Sequence, residues 1–189
     1  MHFADERTDC GSGTVAYFEL IPDLIMPEQE TLLRAREDQR QGKAPSTQAG
    51  EFIREEFHHI REGKHGARSP KQAIAIGLSK ARRAGVKLQP PSSGRFSNKV
   101  RRQAERDYEH GQHGDGHVSR RRSRAVTGAL KREGHAAAST RAISQQTKTS
   151  ARRRTASQRS AAAQKAVHTK GRGGLSSAAR KAARTRFSQ

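Results

Sequence analysis

Three histidines and one carboxylate fall within a single short run of this chain, HGQHGDGH: His110, His113 and His117, with Asp115 between them. Imidazole nitrogens and a carboxylate are a donor set for zinc or nickel. Gly111, Gly114 and Gly116 keep the run flexible, however, and no further group stands ready to orient the rings. No metal site is expected, and His110, His113 and His117 stand only as candidates. His58, His59 and His65 form a second group. Neighbours on a helix point about 100° apart, so His58 and His59 do not readily face one ligand. The expected arrangement is one histidine at the edge of a core and one on the surface. The functional alternative is a phosphate contact beside Lys64 and Arg68.

Other groups offer less to a reaction. Glu55 and Glu56 are adjacent on a helix and diverge. Cys10 has no histidine that the sequence can place beside it. GSG at 11–13 and GRGG at 171–174 neither follow a strand nor open a patterned helix, as a phosphate-cradling loop must. The chain is expected not to be an enzyme and to use no cofactor. A single Cys also excludes an internal disulfide framework and a Cys-based zinc site.

Cations are the dominant chemistry. Lys and Arg number 38 against 18 acids, a formal net charge of +20. From Gly116 to Gln189 there are 19 basic residues and one acid, Glu133, which places +18 of that charge in the tail. The expected nucleic-acid contacts in the middle of the chain are Lys64, Arg68, Lys71, Lys80, Arg82, Arg83 and Lys87. Along the tail they are Arg120, Arg121, Arg122, Arg124, Arg152, Arg153, Arg154, Lys165, Lys170, Arg180, Lys181, Arg184 and Arg186. Each can pair with a phosphate and release counterions. Phe187 is the only aromatic residue after Tyr108, so stacking on unpaired bases is poorly served and a double-stranded, backbone-directed partner is favoured. No helix gathers Asn, Gln and Arg on one face as base reading requires.

The element that must position the central cations runs from Ser69 to Leu88, SPKQAIAIGLSKARRAGVKL. Ser69 suits an N-cap, Pro70 the first helical position, and Gln72 completes a capping box. Ile74, Leu78 and Ala81 recur on one face. Gly85 can adopt the left-handed conformation that ends a helix, with Val86 packing back on the last turn. A helix over 70–84 is predicted. Before it, Ser46 or Thr47 caps a second helix running to about Glu62, with Phe52, Ile53, Phe57 and Ile60 on one broad apolar face. Gly63 and Gly66 supply the turn. The predicted unit is a helical hairpin over 46–88, with Phe52, Phe57 and Ile60 facing Ile74, Leu78 and Ala81. Domains of this size usually need a partner, metal or oligomer to help.

This hairpin also carries a resemblance. SPKQAIAIGLSKARRAG, with FIREEFHHIREGKHGARS before it, resembles an uncharacterised family of small bacterial proteins. Its members pair a hEhxHxxxxGK segment with an S-x-K-Q-A-I-A-I-x-L-S-x-A-R-x-A-G segment. They are often labelled DNA-binding or plasmid-stabilisation proteins. The likeness covers about Ser46 to Leu88, and what it implies is DNA binding or a part in plasmid maintenance.

The remaining chain is read by composition. Residues 1–45 form a variable N-terminal extension. It is acidic before Met26, with a candidate strand at Thr14–Leu20, and translation beginning at Met26 would leave 1–25 without a role. A short exposed helix is expected over 27–44. Residues 89–96 are a Pro- and Ser-rich linker, and 97–110 suit a charged helix capped by Ser97 or Asn98. The whole segment 97–189 is a basic tail rich in Ala, Ser, Arg and Lys, similar in composition to histone-like tails. It holds an internal repeat, SAAAQKAVHTK at 160–170 and SSAARKAARTR at 176–186, separated by Gly171–Gly174. Apolar content of 31% is far below that of a globular domain of this length, so the tail is expected to be largely disordered or helical only when bound.

The expected fold is therefore all-α, a small hairpin with a long basic tail. The expected function is sequence-tolerant binding of double-stranded DNA, of the nucleoid-associated or histone-like type. Two alternatives stand beside it: a structured-RNA or ribosome-associated basic protein, and a plasmid-maintenance component whose hairpin binds a protein partner. A homodimer through the hairpin is a further candidate interaction. No apolar run near 18 residues and no secretory signal are present, so a cytoplasmic, nucleoid-bound protein with no membrane partner is expected.

Overall fold

The computed structural model describes residues 26–187 except Ser93, Arg95 and 115–118 and, for Arg120, Thr169, Lys170, Arg172 and Phe187, the backbone alone. The elements are α1 (Gln29–Arg40), α2 (Pro45–Arg61), α3 (Pro70–Arg83), α4 (Asn98–His113), α5 (Arg120–Lys131), a 3-10 helix (Ala136–Ala138), α6 (Thr140–Arg152) and α7 (Ala156–Phe187). Every element among the described residues is helical, as the all-α expectation has it. Cys10, the candidate strand at Thr14–Leu20, and Asp115 and His117 of the histidine run lie outside the described residues.

Local signals set the ends of α3. The Ser69 hydroxyl accepts from the Gln72 amide at 3.3 Å, and Pro70 is the first helical residue. Gln72 reaches back one residue further than a capping box would, its Oε1 accepting from the Arg68 amide at 3.0 Å. At the other end Gly85 has φ +88°. The Val86 amide donates to the Ala81 carbonyl at 3.1 Å and that of Gly85 to Arg82 at 3.0 Å, the paired bonds of a Schellman stop. Gly63 closes α2 in the same way, with φ +77° and Lys64 donating to the His59 carbonyl. The start of α2 differs from expectation. Its N-cap is Ala44, with no side-chain cap, and Pro45 opens the helix. Pro at the first position lacks only an N–H that would have no helical partner.

The face that α3 buries is rotated by one residue from the predicted stripe. Ala73, Gly77, Lys80 and Ala81 are buried, whereas Ile74 and Leu78 are only half-buried. The cause is the closeness of α2. A Cβ added at Gly77 would stand 2.8 Å from the Ile53 Cα, so small residues at 73, 77 and 81 admit the neighbouring backbone. Two apolar clusters flank this crossing. Phe52 packs with Ala35, Ala49, Ala81 and Val86, with Leu32, Leu78 and Leu88 at the margin. Ile60 packs with Ala67, Ala73, Ala137 and Ala138, with Phe57 beside them.

Those clusters draw in elements outside the expected hairpin boundaries. α1, read as a thinly packed extension, packs on α2 and buries Thr31 and Ala35. α4 packs on α3: Asp107 accepts from the Ser79 hydroxyl at 2.6 Å. Gly111 passes so close to α3 that an added Cβ would lie 1.8 Å from the Arg82 carbonyl oxygen. Residues 130–138 cover the α2–α3 turn. The Gly66 amide donates to the Leu130 carbonyl at 2.9 Å, that of Ala67 to Gly134 at 3.0 Å, and Arg61 Nε to Ala138 at 3.1 Å. A Cβ at Gly66 would stand 1.9 Å from the Glu133 carbonyl oxygen. The first compact unit thus ends at Ile143, well beyond residue 88.

The second unit, from Ser144, holds the rest of α6 and α7. In α7 the helix is broken at Gly171, with φ 63° and ψ 175°, inside the separator between the two repeats. The arm is helical on both sides of that break, as its Ala content favours, and most of its described side chains are exposed. Among the described residues no helix is long and apolar enough to cross a membrane.

Candidate functional site

Five ionisable side chains meet in the interior of the first unit. Glu55 and Glu56 are adjacent on one turn of α2 and His59 lies on the next, His65 is in the turn after the helix, and Lys80 is on α3. Their residues are 3, 0, 1, 1 and 1% exposed. The local reason for Glu56 and His59 is helical geometry: positions 56 and 59 share a face at a spacing of three. Glu55 and Glu56 were expected to diverge toward solvent. Instead Lys80 reaches both, with Nζ 3.2 Å from Glu55 Oε1 and 3.1 Å from Glu56 Oε2. The Glu28 amide donates to the second oxygen of Glu55 at 3.1 Å.

The two histidines are oriented from outside the cluster. His65 Nδ1 lies 3.0 Å from the Gly66 carbonyl oxygen. A carbonyl only accepts, so Nδ1 carries the proton. His59 Nε2 lies 2.7 Å from Glu28 Oε1. Hydrogen bonds from His59 and then Lys64 hold the Glu28 carboxyl down to about 2, so it is an acceptor and His59 Nε2 is the donor. Lys64 in turn is raised, chiefly by its bond to Glu28. Each ring therefore spends its N–H on an outer partner. The inner nitrogens, His59 Nδ1 and His65 Nε2, are buried and, among the described residues, make no hydrogen bond; nor do the oxygens of Glu56, although Oε2 is in ion-pair contact with Lys80. His65 Nε2 and Glu56 Oε1 are 3.2 Å apart, outside hydrogen-bond geometry. One donor atom from each of Glu56, His59 and His65 lies within 4.8 Å of the others.

The histidine reading from sequence divides accordingly. His58 is on the surface, 3.0 Å from Glu62, and His59 is inside rather than at an edge. His65 is not a phosphate contact. Glu56 was missed as a partner of His59, although a Glu-x-x-His spacing on one helix was there to be read. Glu28 was missed because it comes from a segment that looked unattached. His110 and His113 are at the exposed end of α4, away from these groups along the chain.

The expected nucleic-acid contacts also divide. Lys80 is buried between carboxylates and presents nothing to a phosphate. Arg82 is 8% exposed and donates to the Leu88 carbonyl; burial pulls its guanidinium below the usual range. Arg83 is half-buried beside Asp107, at 3.8 Å. Both basic residues were read as surface because a run of cations near a helix end usually is. Lys64 is exposed but bonded to Glu28 and Glu62. Arg68, Lys71 and Lys87 are exposed. So are Arg121, Arg122, Arg124, Arg152, Arg153, Arg154, Lys165, Arg180, Lys181, Arg184 and Arg186, while the side chains of Arg120 and Lys170 lie outside the described set.

A family model, of a family of unknown function (DUF6496), matches residues 42–93. That range includes α2, α3 and all five groups of the buried cluster, but not Glu28, and it stops before α4. No curated protein and no solved structure matches the chain.

Proposed function

We propose that the chain binds double-stranded DNA by neutralising its phosphates, with little regard to base sequence, and that residues 144–189 are the principal contact. One observation carries this reading. That segment contains twelve Lys and Arg residues and no acid, on helices whose described basic side chains are exposed. The positive charge of the segment is balanced by no acidic side chain within it. Phosphates would supply the counter-charge, and they would remove the like-charge repulsion that opposes an Ala-rich helix in free solution. The break at Gly171 lets each repeat be a separate contact. Arg68, Lys71, Lys87, Arg121, Arg122 and Arg124 would add surface charge from the first unit. The DNA-binding label implied by the resemblance at 46–88 points the same way, and a nucleoid location follows from it.

A salt titration of the full chain on two unrelated duplexes and one structured RNA tests the reading. With about eight phosphates engaged, log affinity should fall linearly with log salt at a slope near −7. The two duplexes should bind within about tenfold of each other, since phosphate contacts carry no sequence information. Replacing Arg180, Lys181, Arg184 and Arg186 with Gln should shrink the slope by about 3–4 units. A shallow slope in the parent, or one unmoved by those replacements, defeats the proposal. Strong preference for the RNA would transfer it to a structured-RNA partner.

A further inference from the structure

We propose that Glu56, His59 and His65 bind one divalent transition-metal ion of the zinc class, with Glu28 and the Gly66 carbonyl orienting the two imidazoles. The inference is independent of nucleic-acid binding. It starts from the inner nitrogens. His59 Nδ1 and His65 Nε2 are both lone-pair atoms, because the opposite nitrogen of each ring donates to Glu28 or to Gly66. Among the described residues both are buried with no donor, as is Glu56 Oε1, while Glu56 Oε2 meets Lys80 Nζ at 3.1 Å. Acceptors gathered in an interior without donors repel one another and each keeps its desolvation cost. A cation held among them removes both penalties.

Two cations are available for that role, a proton and a metal ion. A proton on His65 would neutralise Glu56, but the pair is 3.2 Å apart and out of hydrogen-bond geometry, and His59 Nδ1 would still have nothing. A metal ion uses all three. Charge allows it: Glu55 and Glu56 together carry one more unit than Lys80 cancels, and Lys64 is shared between Glu28 and Glu62. Lys80 sits on Oε2 of Glu56 and leaves Oε1 on the His65 side.

Geometry and chemistry narrow the ion. Two nitrogens and one carboxylate oxygen, with no thiolate, suit zinc, iron, cobalt or nickel rather than calcium or magnesium. Two ligands at about 2.0–2.1 Å on a tetrahedral ion are roughly 3.3 Å apart. The 3.2 Å between Glu56 and His65 already fits, and donors within 4.8 Å close by a side-chain rotation. The rings stand edge to face, 6.1 Å between centroids and 81° between planes, so two imidazoles can aim at one point without clashing. Both have the outer hydrogen bonds that metal-bound histidines make: carboxylate–histidine for His59, carbonyl–histidine for His65. The ion would pin the α2–α3 turn to the helix before it, in a unit whose apolar core is small. Three protein ligands leave a fourth position for water.

Cobalt titration of the full chain, purified with chelator, tests this. The chain should carry His113→Ala and His117→Ala, so that the histidine run that begins at the end of α4 does not compete. One Co²⁺ per chain should bind with visible d–d absorption, zinc should displace it, and zinc should raise Tm. His65→Ala and Glu56→Gln should each weaken binding at least ~100-fold, and Glu28→Gln about 10–100-fold, the usual effect of losing an orienting partner. His58→Ala, exposed on the same helix, should change nothing. Because a buried variant can fail to fold, zinc X-ray absorption on the chain with Glu56, His59 and His65 intact gives a second reading. Two imidazoles at about 2.0–2.1 Å are expected. A chain that takes up no stoichiometric cobalt overturns the proposal. So does parent affinity in either His65→Ala or Glu56→Gln, or a zinc shell that contains sulfur or fewer than two imidazoles.

Discussion

Lys80 and Lys181 belong to one class in the sequence and to opposite classes in the fold. Both lie in basic, Ala-containing helical stretches, and both were natural candidates to meet a phosphate. Lys80 is 1% exposed between two glutamates. Lys181 is exposed on a helix in a segment that has no acid at all. The difference lies in the company each keeps. Where the neighbours Glu55 and Glu56 are both buried, a lysine is drawn inward to pair with them. Where acids are absent, as around Lys181, a lysine stays exposed. The first unit pairs some of its cations internally, Lys80 and Arg83 among them; the second has no acidic side chain with which to do so.

The largest test of that contrast removes each lysine. Lys80→Ala leaves two buried carboxylates without their cation and should cost about 3–5 kcal/mol, enough to unfold so small a unit. Lys181→Ala should change stability by less than about 0.5 kcal/mol. Urea melts of the two variants make the comparison, and equal midpoints would break it.

Glycines give the next contrast. At Gly66 an added methyl would collide with the Glu133 carbonyl, so Gly66→Ala should part residues 130–134 from the turn at a cost of about 1–3 kcal/mol. The cost should appear as a lower Tm with loss of amide protection at Gly66 and Ala67. Gly85→Val places a β-branched residue at φ +88° and should cost about 1–2 kcal/mol; a thermal melt identical to the parent's would remove the Schellman stop. Gly173→Ala reverses the sign. Nothing lies within 4 Å of its added methyl, so helix propensity alone acts, and helicity in the second unit should rise by an increment worth about 0.5–1 kcal/mol. Far-UV circular dichroism reads that smallest effect.

What was legible in the sequence was local. Ser69, Pro70 and Gly85 declare the ends of α3 because caps involve neighbours only. The all-α class followed from the same signals. The buried face of α3 was displaced because periodicity weights Ile74 and Leu78 over Ala73 and Gly77, and small residues bury by letting a backbone approach rather than by apolar bulk. Glu55, Glu56 and Lys80 looked like surface because charged residues usually are; only the pairing brings them inside. The seat of residues 130–138 left no mark in side chains, since it is held mainly by backbone bonds at Gly66 and Ala67. Every member of the buried cluster was named from the sequence, but separately: Lys80 as a phosphate contact, Glu55 and Glu56 as diverging neighbours, and His59 and His65 as part of a second histidine group.

That long-range closure has a consequence in time. Arg61 donates to the Ala138 carbonyl across 77 residues of sequence. A ribosome adding about 5–20 residues per second needs roughly 4–15 s to cross that interval. Once α3 has been made, within that interval, α2 and α3 can pair while their turn stays wet on one side, because the segment that covers it has not yet appeared. Contacts of such separation close late in folding as well. The lid over Ile60, Ala67 and Ala73 is thus the last piece of the first unit to arrive, and the helices rich in arginine emerge only after it.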